Sequence, residues 1–480
     1  MKSSMTQATH NGLIFHPARF SRIAAADRDR LCGHKKSNYK HMKLHYRILM
    51  LLGLLISTSC QGFLDEKPTK SILVPESVPD FEALLDGYGT MNLTTILPFM
   101  FSDDYWTSKS NWQNFNSWQQ RAYLWDLDPY LPDEAPLDYS IMYRKISYAN
   151  VTLDKLNEDP DWLEEDKMRL KGKALFWRAS AYFELAVLYL PMPSSTLDSD
   201  EFVIPMPSTA DINAAQELKT SEEVFTEILN DLQEAILLLP IKTDYATQPS
   251  LYAGYGLLAR ISLYLGNYSD AATYAKLVLD GGFTLMDYQD LDFSQAYPSP
   301  LFNSETILFT FLAPQGSVSG ENVAYVDSLF VKSFDSLDLR SKFLFENNMN
   351  STSFKGSYTG NYELFTGVAL DEIYLILAEA HVRLGDIEKA KNYLDILLAS
   401  RIVDYAGNED QQNYLKTVLE ERRKTLLYRG QRWADLKRFS YHDGEQLTLR
   451  RYEGDELVIF EGKPENFQLK LSIRERNLLY

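Results

Sequence analysis

Cysteine and histidine are scarce in this chain of 480 residues. The two cysteines are Cys32 and Cys60, and of the seven histidines only His381 and His442 lie beyond position 45. A disulfide framework, a cysteine-based zinc site and a cysteine nucleophile are therefore excluded from the folded body, because each needs thiols there. Neither remaining histidine lies near a recognisable nucleophile motif, so we expect no enzyme activity, no resident metal and no cofactor.

Positive charge is also in deficit over most of the chain. The whole sequence has a formal charge of −18, with 48 Lys and Arg against 66 Asp and Glu. Residues 1–59 hold ten basic and two acidic residues, which leaves 38 basic against 64 acidic residues, or −26, from Cys60 onward. Such a surface repels phosphate backbones, so we expect no nucleic-acid partner.

The apolar run near the N-terminus is too short to span a bilayer, which needs about 20 apolar residues. It extends from Ile48 to Ile56, follows a basic segment that begins at Met42, and precedes Ser57-Thr58-Ser59-Cys60. A short basic region, an apolar core and a run of small residues are typical of a secretory signal peptide. The segment therefore predicts export of the protein.

The cysteine that ends this segment resembles the lipidated first residue of a bacterial lipoprotein. The pattern departs from the usual one at Ser57, where such signals commonly have Leu, and the alternative is an ordinary signal peptide followed by an unmodified cysteine. We predict a leader over 1–59 that is removed, in which residues 1–41 reflect a start placed too early. A lipidated tether follows over 60–80 and anchors the protein to a membrane through Cys60.

Helical patterns dominate the body, residues 81–480, which we predict to be one domain. Apolar residues recur at helical spacing in three long stretches, and prolines end the last two of them. The predicted helices span 139–156, 164–190 and 221–239.

Two later stretches of the body resemble each other. Leu265-Gly266-Asn267-Tyr268 and Leu384-Gly385-Asp386-Ile387 each interrupt a helical pattern with a glycine, as in the second half of a tetratricopeptide unit. A long stretch separates the copies, so the array is interrupted. The predicted fold is mostly α: a discontinuous tetratricopeptide-like helical repeat scaffold with irregular loop-rich insertions and a few short strands. The main insertion is expected near 281–362, with a strand at 306–312.

Four of the seven tryptophans fall in the segment 99–136, which has no steady helical period. Flat sugar faces stack on aromatic rings while amides and carboxylates bond the hydroxyl groups, and this segment supplies both kinds of side chain. The alternative is that the tryptophans pack the segment onto the helices, which is expected of Trp125 beside Leu124 and Leu127. The candidate ligand-binding residues are Trp106, Trp112, Trp118, Tyr105, Asp103, Asp104 and Asn111, with Tyr325 from the insertion and Phe354, Tyr358 and Tyr362 as weaker candidates.

Three groups of residues resemble the SusD/RagB family of outer-membrane nutrient-binding lipoproteins. The mature start Ser59-Cys60 is followed by Phe63-Leu64-Asp65 and Pro68. The second repeat contains Ile373-Tyr374-Leu375, Ala378-Glu379-Ala380, Arg383-Leu384-Gly385-Asp386 and Ala390. The most specific group, here called the C-terminal motif, contains Glu421-Arg422-Arg423, Leu426, Gly430, Arg432-Trp433 and Asp435-Leu436-Lys437-Arg438.

The C-terminal motif is interpreted as structural, with Gly430 closing one helix and Trp433 anchoring the next. The family commonly has acidic residues where this chain has Thr425 and Arg429, so we expect a weakened local ion-pair network. The resemblance covers most of residues 60–480, although the middle of the chain carries little of the family pattern.

The resemblance implies a function that composition does not show. It implies a cell-surface lipoprotein of the outer membrane that binds oligosaccharide and delivers it to a TonB-dependent transporter of the SusC type. Two alternatives remain open: a peptide-binding member of the same family, and a helical-repeat surface scaffold that binds no nutrient. A glycoside hydrolase is a minor third hypothesis, because no pair of carboxylates stands out at a suitable spacing.

Overall fold

The computed structural model describes residues 75–479, apart from 159–160, 194, 196, 198–201, 212, 215, 321, 349–350, 356–357, 408–412 and 454–455. The predicted leader over 1–59, the predicted lipidation site Cys60 and most of the predicted tether over 60–80 lie outside the described residues. The helical-repeat domain predicted over 81–480 lies almost wholly inside them.

Helices are the main secondary structure of this part of the chain. In order they are α1 (Val78–Leu85), α2 (Tyr88–Met91), α3 (Leu97–Phe101), α4 (Lys109–Gln113), α5 (Ser117–Tyr123), α6 (Leu137–Glu158), α7 (Glu164–Tyr189), α8 (Ser221–Leu238), α9 (Leu251–Tyr264), α10 (Tyr268–Leu279), α11 (Gly316–Ser319), α12 (Ser328–Val331), α13 (Arg340–Leu344), α14 (Leu370–Arg383), α15 (Ile387–Ala399), α16 (Tyr414–Thr425), α17 (Arg432–His442) and α18 (Ile473–Leu479). The three long predicted helices are confirmed as α6, α7 and α8. Helix α8 begins with a capping box, in which the backbone N–H of Thr220 donates to Glu223 at 2.8 Å.

The strands are short and form small sheets. They are β1 (Leu93–Thr94), β2 (Tyr105–Trp106), β3 (Ile204–Pro205), β4 (Leu218–Lys219), β5 (Thr306–Leu308), β6 (Phe311–Leu312), β7 (Tyr325–Val326), β8 (Phe345–Asn348), β9 (Ser351–Phe354), β10 (Val368–Ala369), β11 (Leu447–Glu453) and β12 (Glu456–Gly462). The prediction of a single strand over 306–312 was wrong in one respect. The segment forms two strands, of which β5 pairs antiparallel with β10 and β6 pairs parallel with β1.

The long helices pack against one another in the order α6, α7, α8, α9, α10, α14 and α15. The two predicted glycine turns are confirmed: Gly266 joins α9 to α10 and Gly385 joins α14 to α15, with φ values of 78° and 82°. These left-handed values favour glycine because it has no Cβ. Helix α10 packs directly on α14 although the segment 281–362 lies between them, which confirms a discontinuous repeat.

The segment 281–362 and the segment 99–136 share one four-stranded sheet, with strand order β2–β7–β9–β8. The strand β2 comes from the earlier segment, and the other three come from the insertion. All pairings in this sheet are antiparallel. The two loop-rich regions therefore form one platform, which the sequence pattern did not predict.

A β-hairpin formed by β11 and β12 was not predicted either. Its inner side packs Phe460 against Trp125 and Trp433, at ring-centroid distances of 5.8 and 5.6 Å. Trp433 is completely buried, and Trp125 is 6 % exposed. The predictions that both tryptophans belong to the core are confirmed.

The C-terminal motif forms a buried chain of ion pairs. Arg422 and Arg438 both bind the carboxylate of Asp435 at 2.9 Å, and Arg438 reaches Glu379 in α14 at 2.7 Å. These pairs join α16, α17 and the repeat scaffold. Removing one partner of a buried pair typically costs about 3–5 kcal/mol, since the other charge is left unpaired.

The expected weakening of this network at Thr425 and Arg429 was wrong. Arg429 makes a bidentate pair with Asp371 at 2.7 and 2.9 Å, and Arg340 donates to the hydroxyl of Thr425 at 3.0 Å. Both residues are buried and hydrogen-bonded without the acidic side chains found in the family pattern. A different set of partners therefore joins the motif to the preceding chain.

We expect Gly256→Ala to destabilise the fold, because α9 approaches strand β10 closely at this position. A Cβ on Gly256 would lie 2.6 Å from Cγ1 of Val368. Overpacking costs about 1–3 kcal/mol, more than the gain of about 1 kcal/mol in helix propensity. The free energy of unfolding, measured in denaturant, should fall by up to about 2 kcal/mol. Gly89→Ala is the control, because its Cβ would meet no atom within 4 Å; equal stability of the two variants would refute the close approach.

Candidate functional site

The four-stranded sheet places two predicted aromatic residues side by side on the surface. Trp106 and Tyr325 are direct cross-strand partners in β2 and β7, and their ring centroids lie 4.9 Å apart at 41°. Trp106 is 42 % exposed, and Tyr325 is half-buried. Two rings that distant segments contribute thus form one open aromatic pair.

The neighbouring residue on each strand points into the protein, as the alternation of strand side chains requires. Tyr105 is 3 % exposed and stacks on Phe99 at 4.5 Å, and Val326 opposite it is 3 % exposed. Tyr105 is therefore a core residue rather than the ligand contact that the sequence suggested. Its burial directs the next side chain, Trp106, outward.

The remaining strands continue the same outward face. Tyr325 is opposite Ser353, and Ser353 is opposite Glu346. Directly opposed residues project from the same side of a sheet, so Trp106, Tyr325, Ser353 and Glu346 form one row across it. Ser353 is short and buried, whereas Glu346 is exposed. The row therefore has aromatic rings at one end and a carboxylate at the other.

Asn111 lies next to the aromatic pair. Its side-chain amide donates to the carbonyl oxygen of Asn322 at 2.8 Å, and the hydroxyl of Tyr325 donates to the same oxygen at 2.7 Å. A shared acceptor brings an amide and a phenol together, both of which can bond sugar hydroxyls. Of the predicted residues, Trp106, Tyr325 and Asn111 are thus assembled at one place.

The other predicted tryptophans are placed less favourably. Trp112 is half-buried, and its indole N–H donates to the carbonyl of Gln120 at 3.2 Å. Trp118 is 9 % exposed and stacks on Tyr130 at 5.4 Å. Trp118 therefore packs the segment onto the core, as the alternative interpretation of the sequence had it.

The two predicted carboxylates are held by arginines of the C-terminal motif. Asp103 accepts from Arg432 at 2.6 and 3.1 Å and forms an ion pair with Arg423 at 3.0 Å. Although burial acts in the opposite direction, Arg432 and Arg423 hold the pKa of Asp103 well below its usual range. Asp104 is 5 % exposed and lies 3.6 Å from Arg423. Both carboxylates position the chain before Trp106 instead of facing solvent.

Arg451 of the β11–β12 hairpin also supports this segment. Its guanidinium donates to the backbone carbonyls of Met100, Ser102 and Tyr123, and it is 3 % exposed. Tyr105 lies 4.9 Å from the same guanidinium. Because this one buried guanidinium donates to three backbone carbonyls, Arg451 fixes the conformation of the loop.

A cavity of about 500 Å³ lies beside the sheet, with Glu346 in its wall. Its walls include the exposed rings of Tyr297 and Tyr362, together with Gln315, Glu346 and Lys355. Gln119 of the earlier segment donates to Gln315 at 3.0 Å, which ties the cavity wall to helix α5. Tyr362 was a weaker candidate in the sequence. The others were missed, because isolated polar residues in a loop carry no periodic signal.

The last two weaker candidates are buried. Phe354 is 7 % exposed and stacks on Tyr428 at 4.5 Å. The hydroxyl of Tyr358 lies 2.7 and 2.9 Å from carboxylate oxygens of Glu305 and Asp371 beneath the surface. The ring of Tyr358 therefore cannot stack on a ligand without rearrangement, whereas Phe354 contributes its small exposed fraction to the cavity wall described above. Within the described ranges, no group of three or more His, Cys, Asp or Glu side chains could hold a metal ion.

Comparisons with known proteins identify the family and the fold. Residues 62–263 match a family model described as "Starch-binding associating with outer membrane", and residues 367–476 match a model of the SusD family. The chain matches none of the curated proteins.

Several solved structures have a similar fold. A SusD superfamily protein from Bacteroides thetaiotaomicron is 19 % identical, with a TM-score of 0.68 over 84 % of this chain and 98 % of that one. A SusD-like carbohydrate binding protein from Bacteroides vulgatus is 19 % identical, with a TM-score of 0.63 over 84 % and 96 %. A laminarin binding SusD-like protein is 22 % identical, with a TM-score of 0.56 over 75 % and 90 %. At these identities the structures establish the fold. The two family models, which match residues 62–263 and 367–476, show that the chain belongs to the SusD/RagB-like family.

We expect the stability of an Asp104→Asn variant, relative to the wild type, to depend on pH. Burial, opposed by Arg423 and reinforced by the charge of Asp103, raises the pKa of Asp104 to about 6; Arg432 and Tyr428 also face this carboxyl. A carboxyl whose folded pKa is raised favours the folded state at low pH, and this contribution is lost as pH rises through the folded value. The melting temperature of the variant minus that of the wild type should therefore increase from pH 4.5 to 7.5.

The matched control is Asp435→Asn, which also removes a buried carboxylate paired with two arginines. Although burial acts in the opposite direction, Arg422 and Arg438 hold the folded pKa of Asp435 below its usual range, so its stabilising contribution is present above its unfolded pKa and is lost only in stronger acid. This variant should be destabilised by a nearly constant amount between pH 4.5 and 7.5. If the melting-temperature difference between Asp104→Asn and the wild type does not change with pH across that range, burial does not raise the pKa of this carboxyl.

Proposed function

We propose that this protein is a cell-surface lipoprotein that binds an oligosaccharide and delivers it to a TonB-dependent transporter of the SusC type. The observation that carries the proposal is the open pair of Trp106 and Tyr325, which lies at one end of a row of residues whose other end, Glu346, lines a cavity of polar and apolar side chains. Membership of a carbohydrate-binding family supports the same class of ligand.

The dimensions of the face favour a chain of sugars over a single ring. Neighbouring strands lie about 4.8 Å apart, so the row from Trp106 through Tyr325 and Ser353 to Glu346 extends about 14 Å. The cavity beside it, about 500 Å³, is within the range of about 300–1,000 Å³ found for ligand pockets. An oligosaccharide could stack on the rings at one end and place a further unit among the polar side chains of the cavity.

The chemistry of the face suits capture followed by release. Stacking on exposed rings is weak and partly solvated, and the amides and carboxylates nearby offer hydrogen bonds to hydroxyl groups. The laminarin binding relative supports a glycan as the ligand. Binding alone is proposed, with no change in the bonds of the glycan.

The membrane attachment belongs to the same proposal. Acyl chains on Cys60 would anchor the protein, at roughly 0.8 kcal/mol for each buried CH₂ group. The family description refers to association with the outer membrane. In residues 75–479, where described, no helix is both long and apolar enough to cross a bilayer.

The binding of glycans should depend on the aromatic pair. Titration calorimetry of the full chain with laminari-oligosaccharides and a panel of other glycans should show saturable binding. The chain length of the glycan should be the same before and after incubation with the protein. Trp106→Ala should weaken the affinity roughly 30-fold, because truncating a central aromatic contact costs about 2 kcal/mol. Tyr325→Ala should have a similar but smaller effect.

The matched control is Tyr452→Ala, which removes an aromatic ring 62 % exposed on the β11–β12 hairpin. Its affinity should equal that of the wild type. Wild-type affinity in the Trp106 variant would contradict the assignment of the site. Binding of peptides but not of glycans would indicate the peptide-binding branch, and shortened glycan products would indicate hydrolysis.

A further inference from the structure

Few backbone hydrogen bonds join the two strands that carry the aromatic pair. Strand β2 and strand β7 contain two residues each, and they belong to segments far apart in the sequence. Such a short ladder supplies few hydrogen bonds, each of which contributes only about 0.5–1.5 kcal/mol. Other contacts must fix the position of Trp106 relative to Tyr325.

Arg423 of helix α16 holds the segment that leads into Trp106. Its Nη2 donates to the backbone carbonyl of Asp103 at 3.1 Å and lies 3.0 Å from the carboxylate of the same residue. Its Nε lies 3.6 Å from the carboxylate of Asp104. One guanidinium thus contacts two successive residues that immediately precede β2.

The same guanidinium contacts the segment that follows Tyr325. It lies over the ring of Phe330, 4.9 Å from the ring centroid. Phe330 is in α12, and this helix begins shortly after β7 and is capped by Asp327, whose carboxylate accepts from two backbone N–H groups. Arg423 therefore links the two chain segments that carry the aromatic pair.

Arginine is suited to this bridge in a way that lysine is not. A planar guanidinium donates in its plane to carboxylate and carbonyl oxygens while its face stacks on an aromatic ring. An ammonium group is a compact charge that cannot do both with fixed geometry. Arg423 is 27 % exposed at its side chain, so it lies at the edge of the site rather than in the core.

We propose that Arg423 is a positioning residue that fixes Trp106 against Tyr325 by holding both of their segments at once. The consequence for ligand capture rests on the function proposed above. The amide of Asn111 also links the two segments, through the carbonyl of Asn322. Among the arginines of the C-terminal motif, Arg432 pairs with Asp103 and Arg422 with Asp435, so within this motif the bridge is assigned to Arg423.

The test follows the position of Trp106 directly. The full chain is labelled with 5-fluorotryptophan, and the resonance of Trp106 among those of the seven tryptophans is identified with Trp106→Phe. Because Trp106 lies against the ring of Tyr325, its fluorine shift reports their relative placement. Arg423→Lys keeps the charge but should shift or broaden this resonance and weaken glycan affinity about tenfold, or about 1.4 kcal/mol.

Phe330→Leu is the second variant, because it removes only the ring beneath the guanidinium and keeps the pairing with Asp103. It should move the same resonance even if Arg423→Lys fails to fold. Arg383→Lys is the control: Arg383 is also paired with two carboxylates and lies over a tyrosine ring, but it contacts neither segment. It should lower the melting temperature and leave the Trp106 resonance unchanged.

The possible results separate the two proposals. An unchanged Trp106 resonance in both Arg423→Lys and Phe330→Leu overturns the positioning role, whatever the glycan affinity. A shifted resonance with wild-type glycan affinity overturns its role in ligand capture. A shifted resonance in a protein that binds no glycan, even as wild type, supports the bridge and contradicts the proposed function.

Discussion

The buried pairing of arginines with carboxylates is the interaction on which the rest of this structure depends. Arg422, Arg438 and Arg429 connect the C-terminal helices to acids in α14 and α17, at distances of 2.5 to 3.1 Å. Each pair is costly to desolvate and costly to break, so the geometry of every member is tightly specified. Helices α16 and α17, which a short turn joins, are therefore held in a fixed position between the repeat scaffold and the four-stranded sheet.

The four-stranded sheet packs against the turn between α16 and α17. Its inner face consists of buried side chains such as Tyr105, Val326 and Phe354, and Phe354 stacks on Tyr428 from the turn between α16 and α17. Tyr428 has a positive φ of 62°, a conformation that costs energy in a residue with a Cβ and is retained where packing enforces it. The outer face is left to aromatic and polar side chains. One set of helices thus supports both the fold and the candidate ligand surface.

Sequence reasoning succeeded where the signal is local. Helix periods and the glycine turns at Gly266 and Gly385 were readable along the chain. The burial of Trp118 and Tyr105 was not, because the short elements α5 and β2 turn these rings inward. The pairing of Trp106 with Tyr325 depends on two-residue strands from distant segments, which leave no pattern. The loss of acids at Thr425 and Arg429 was misjudged, because their replacement partners, Arg340 and Asp371, lie elsewhere in the sequence.

The direct packing of α10 on α14 has an evolutionary consequence. These helices meet directly, but the long segment between them also supplies buried partners of the scaffold: Arg340 donates to Thr425, and the hydroxyl of Tyr358 lies 2.9 Å from Asp371. The same segment supplies three of the four strands of the platform and most of the cavity wall. Relatives that keep these buried contacts could vary its surface residues and acquire a new ligand preference on an unchanged helical frame.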